Sequence, residues 1–125
     1  MRRQVLYSKC HRATVTAADL HYEGSLSLDP YLMQACGWHP YEHIHVVNIN
    51  NGQRFETYLI EAETTGTVQL NGAAARRCQV GDLVIIMSYC SLPVAQLHTW
   101  SPKVVCLNAK NEIITDCVSA TAVSS

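Results

Sequence analysis

Asn51-Gly52 separates two runs that read as strands, residues 43–49 and 54–61, and so commits the middle of the chain to an antiparallel hairpin. Both residue types accept the positive φ that a tight reversal requires. Other short runs flank this hairpin. Residues 5–15 alternate roughly between apolar and polar positions, as a long strand does. Residues 83–87 are continuously apolar, the pattern of a strand buried on both faces, and residues 103–107 and 112–115 flank a polar turn as a last hairpin.

Helical signals are few. Asp29-Pro30 supplies an N-cap and a first helical position, and Gly37 closes a short helix over residues 31–36. Residues 71–77 suggest a turn feeding a brief second helix. Many short strands with few short helices predict a small, mainly β domain, closed or partly closed as a barrel. One domain is expected over 1–125, with a small, polar and loose tail at about 119–125.

Composition narrows the function classes. Hydrophobic residues make up 48% and charged residues 15%, which excludes disorder. A formal net charge of −1 provides no electrostatic footprint for nucleic acid or an anionic membrane. No export signal or membrane-spanning run is read, so a soluble cytoplasmic protein is expected. The six cysteines (Cys10, Cys36, Cys78, Cys90, Cys106 and Cys117) contain no C-x-x-C pair and are expected to be reduced.

The most informative segment is Asp19-Leu20-His21-Tyr22-Glu23-Gly24-Ser25. By itself, Gly24-Ser25 is an ordinary turn between strands. It also allows an intramolecular acyl shift, in which Ser25 Oγ attacks the Gly24 carbonyl and converts amide to ester. Elimination and hydrolysis then leave a pyruvoyl group on the new chain end. Glycine at position 24 suits a strained backbone that exposes its carbonyl.

Three further blocks accompany this segment: Lys9-Cys10-His11-Arg12, residues 51–58 (NGQRFETY) and residues 71–75 (NGAAA). In composition, order and spacing the four blocks resemble the bacterial pyruvoyl-dependent aspartate decarboxylases, over most of the chain from Lys9 to about Pro102. The resemblance implies a six-stranded double-psi β-barrel and self-cleavage between Gly24 and Ser25, giving a β chain of residues 1–24 and an α chain of residues 25–125. It implies a pyruvoyl cofactor derived from Ser25, which forms a Schiff base with L-aspartate and yields β-alanine and carbon dioxide for pantothenate synthesis. Neither a metal nor pyridoxal phosphate is then required.

Further roles follow from the same resemblance. Tyr58 matches a proton donor and Arg54 a carboxylate clamp, with Lys9 as a second cation. Thr57 matches the residue that steadies the Gly24 carbonyl during cleavage. Gly72, Ala73 and Ala74 match a backbone segment beneath the substrate, preceded by Asn71, and Tyr22 and His11 are supporting members. The family is a homotetramer with sites between subunits, matured unaided or with an accessory factor. The chain departs from the family at Val47, where tryptophan is common, and at Leu26, where a small or sulfur-bearing residue is frequent. The first bears on pocket width and the second on cleavage rate.

Other readings stay open. Arg54 and Tyr58 share a strand face by their period-two spacing, yet solvated strand residues do the same. Thr57 should face the other way, so either a bulge re-aims it or it serves a site shared with a second subunit. Gly37 ahead of His43-x-His45 matches the opening of a cupin metal motif, but Ile49 and Asn50 stand where its glutamate belongs. A non-enzymatic barrel that never matures is the remaining alternative.

Overall fold

The computed structural model describes residues 1–114; the expected loose tail, the end of the last hairpin at Thr115 and Cys117 lie outside the described residues. Nine strands form one sheet: β1 (Arg2–Thr14), β2 (Ala17–Asp19), β3 (Ser25–Leu28), β4 (His43–Asn48), β5 (Arg54–Glu61), β6 (Val68–Asn71), β7 (Leu83–Pro93), β8 (Lys103–Leu107) and β9 (Ile113–Ile114). Their order is β2-β6-β3-β5-β4-β7-β1-β8-β9.

The sheet returns on itself because β2 continues β1 across Val15 and Thr16. Val15 N–H donates to the Asp82 carbonyl over 2.9 Å and Thr16 N–H to the Val68 carbonyl over 2.8 Å, so one chain segment passes from the β7 side of the sheet to the β6 side. The mainly β expectation is met, with nine strands rather than six. The difference arises because β1 and β2 follow one course while β8 and β9 lie beyond the ring. Closure of this kind removes exposed strand edges.

The inward faces supply the core. Leu26, Leu28, Ile44, Val46, Leu59, Leu70, Val84 and Ile86 are fully buried, each stabilising the fold by about 1.5–3 kcal/mol. β7 is longer than its apolar run and buries only alternate residues, Val84, Ile86 and Ser88, so it is not buried on both faces as expected. Near its middle, the Trp38 indole N–H donates to Ser88 Oγ over 2.6 Å, and Ser88 meets Ser8 at 3.3 Å. A bulge between Cys10 and Ala13 bends β1 where Arg12 takes φ +65°.

The helix α1 (Pro30–Cys36) starts and stops at the expected signals. Asp29 accepts from the Tyr31 N–H over 2.8 Å and, through its second oxygen, from the Gly66 N–H over 2.7 Å. Such a cap contributes about 1 kcal/mol. Gly37 terminates the helix in the left-handed conformation, while Leu32, Met33 and Cys36 turn into the core. The β4–β5 reversal spans residues 49–53, longer than a two-residue turn, and Gly52 carries its positive φ.

Cys10, Cys36, Cys78 and Cys90 are free thiols. Cys106 is disulfide-bonded, which corrects the expectation that every cysteine stays reduced. Among the described residues no helix is long and apolar enough to cross a membrane.

Candidate active site

Ser25 opens β3 and pairs in antiparallel register with Asn71, the last residue of β6. Both are buried, at 1% and 0% exposure, so the polar atoms they carry need partners. Asn71 Nδ2 donates to Ser25 Oγ and to Ser27 Oγ, each over 2.9 Å. Gln69 Nε2 donates to Asn71 Oδ1 over 2.8 Å, which fixes the amide orientation. Ser25 Oγ in turn donates to the Glu23 carbonyl over 3.1 Å. The network therefore holds the hydroxyl at the Gly24–Ser25 peptide, with its proton directed to a backbone acceptor.

Gly72 follows Asn71 and begins a 3₁₀ turn (Gly72–Arg77) at φ +66°. A Cβ at Gly72 would lie 2.7 Å from Gly24 Cα and 2.8 Å from Gly24 N. The need for glycine is therefore at position 72. Gly24 itself has no left-handed φ and open space where a Cβ would stand, which corrects the expectation of a strained backbone there.

A cleft of about 560 Å³ runs beside this peptide, lined by Gly24, Thr57, Tyr58, Ala73 and Ala74 among others. Two further cations, Arg76 and Arg77, line it too. Arg77 is occupied by Gln53 Oε1 at 2.8 Å, which leaves Arg76 as the nearer candidate for an anionic ligand. Their position directly after residues 71–75 was the available signal.

The β4–β5 register runs from His43↔Tyr58 to Val47↔Arg54 without a shift, so no bulge re-aims Thr57. Arg54, Glu56 and Tyr58 face one way and Thr57 the other. Arg54 and Lys9 are not among the residues lining the Gly24 cleft. In the sheet, Lys9 pairs with Met87, Met87 with His45, and His45 with Glu56, which sets Lys9 three strands from β5. At about 4.8 Å per strand, that is roughly 14 Å. His11 lies two residues beyond Lys9 on β1, with Nδ1 buried and unpartnered. Burial first, then the charges of Lys9 and Arg12, lower its pKa. Tyr22 is exposed and outside the cleft. Within one chain, then, the expected cleavage residues come together and the expected cations do not.

A closed β-barrel that holds a buried serine hydroxyl against its own preceding peptide, beside an open cleft, is the framework of a small barrel enzyme. The chain belongs to the aspartate decarboxylase family, whose model matches residues 1–114. It is 54% identical over 112 residues to the aspartate 1-decarboxylase of Caldicellulosiruptor saccharolyticus, covering 89% of this chain and 88% of the relative. Identity to the Desulfotalea psychrophila aspartate 1-decarboxylase is 51% over 114 residues, covering 90% and 96%. For the enzyme of that name from Campylobacter fetus subsp. fetus, identity is 47% over 113 residues, covering 90% and 98%. Family membership makes the chain a carboxy-lyase.

Proposed function

We propose that the chain cleaves itself before Ser25 and then decarboxylates L-aspartate to β-alanine and carbon dioxide, supplying pantothenate synthesis. The observation that carries this reading is the contact of Asn71 with the buried Ser25 at the Gly-Ser peptide, within a family of this activity. Ser25 Oγ attacks the Gly24 carbonyl carbon, the C–N bond breaks, and the nitrogen of residue 25 becomes a free amine. Loss of the Ser25 α-proton expels the Gly24 carboxylate and leaves dehydroalanine. Water then replaces the nitrogen, which departs as ammonia, and a pyruvoyl cap remains at residue 25. The residues present fit such a group: Asn71 donates at the position of Oγ, and Gly72 leaves room for the backbone turn.

When formed, that ketone supplies an electron sink for an amino-acid substrate, the part pyridoxal phosphate plays elsewhere, so neither that cofactor nor a metal is assigned to the reaction. Thr57 steadies the Gly24 carbonyl during cleavage, and both line one cleft. Tyr58 returns a proton from its phenol hydroxyl to the substrate α-carbon. Ala73 and Ala74 form the wall behind the substrate. Arg54 and Lys9 bind its carboxylates, and their separation from the Gly24 cleft supports a site completed by a second copy, as in a homotetramer. Tyr22 and His11 serve as supporting residues. A cytoplasmic location is supported by the four free thiols, with the Cys106 disulfide counting against it.

The test is a Ser25→Ala variant compared with the unaltered chain by intact mass and by carbon dioxide release. The unaltered chain splits into two fragments before residue 25 and turns over aspartate, while the variant stays whole and inactive. Normal turnover by the uncleaved variant would overturn the mechanism.

A further inference from the structure

We propose that His43, His45 and Glu56 bind one divalent ion of the zinc class on the outer face of the β4–β5 hairpin. His43 and His45 stand two residues apart on β4, so both imidazoles project from one face. The strand register then places Glu56 directly opposite His45. Both rings converge on the same carboxylate oxygen: Glu56 Oε1 lies 2.6 Å from His43 Nε2 and 3.5 Å from His45 Nε2. One ligand atom from each residue falls within 4.8 Å of the others.

A tetrahedral zinc with bonds near 2.0–2.1 Å sets its ligand atoms roughly 3.3 Å apart, so capture needs side-chain adjustments on the order of 1 Å. Two imidazoles and a carboxylate suit zinc and its neighbours, whereas magnesium and calcium prefer oxygen alone. A fourth position is left for water. The third ligand comes from the neighbouring strand, where a search along the sequence for a cupin-type glutamate does not reach.

Two features distinguish the cluster from an incidental histidine–carboxylate pair. Among the described residues the Glu56 carboxylate lies within 4 Å of the basic nitrogens of these two histidines alone, although Arg54 lies two residues away on the same face. The His45 ring is also oriented, with Tyr89 edge-on at 5.1 Å and 84°. The side chains remain 65%, 33% and 59% exposed, which gives an ion an open path.

Titration of the purified full-length chain with Zn²⁺ against a chromophoric chelator should show one ion per chain. His45→Asn and Glu56→Gln should each weaken binding at least about tenfold. His98→Asn, at a histidine outside the cluster, should leave it unchanged. Glu56→Gln retains a hydrogen-bonding oxygen for His43, and circular dichroism checks that both variants fold. Substitution with Co²⁺ should give the visible band of a tetrahedral nitrogen–oxygen site. No saturable Zn²⁺ binding below ~1 mM, or binding that survives both substitutions, overturns the proposal. So does the absence of a tetrahedral Co²⁺ spectrum.

Discussion

Asn71 Nδ2 lies 2.9 Å from Ser25 Oγ, and the two residues face each other across the β3–β6 ladder. One amide thus stabilises a buried hydroxyl and aims it. Removing that donor in Asn71→Ala leaves the Ser25 and Ser27 hydroxyls short of a partner, at a cost of about 1–3 kcal/mol. Conversion to two fragments should slow at least about tenfold, the equivalent of about 1.4 kcal/mol in the barrier. A time course of intact mass after synthesis measures this; an unchanged rate would remove Asn71 from the cleavage step.

The two glycines should behave oppositely. Gly72→Ala forces an alanine to φ +66° and drives its Cβ against the Gly24 backbone. The conformation alone costs about 1–2 kcal/mol, and the backbone contact adds to it. Both a lower Tm and blocked cleavage are expected. Gly24→Ala meets nothing within 4 Å, so its folding stability should shift by no more than about 0.5 kcal/mol. Thermal melts of the two variants provide the comparison.

Acid should find His11. Its pKa is lowered from 6.5 by burial, with Lys9 and Arg12 adding to the effect, so the fold favours the neutral ring. The unfolded chain takes up the proton first as pH falls. The contribution of His11 is therefore intact above about 6.5 and is lost as pH drops from there through the lowered folded value. His11→Gln should flatten that part of a Tm-against-pH curve. Parallel curves for the two proteins would assign the acid sensitivity elsewhere.

How much of this was legible in the sequence depended on whether the signal was local. Asp29, Pro30 and Gly37 bounded α1 because caps act within a turn of the residues they terminate, and residues 54–61 gave β5 end to end. β7 ran on through residues 88–93 beyond its apolar stretch because β1 pairs with it there, a tertiary contact that no local pattern encodes. The short strands β3 and β6 were missed for the same reason. At the site, Gly24, Ser25, Asn71 and Gly72 came from motif resemblance, and the structure brings them together. The lowered need for glycine at position 24 was not legible, since it follows from which backbone approaches which. Nor was Glu56, whose neighbours are set by strand register.

The passage of one segment from β1 into β2 has a bearing on what a cut before Ser25 would leave behind. Residues 1–24 would hold both closing seams of the cylinder, with β1 zipped between β7 and β8 and β2 zipped to β6. The severed peptide would be a stave that cannot leave without the barrel springing open. Hydrogen bonding and apolar burial would then keep the two pieces one molecule, as in a split protein that reassembles without a linker.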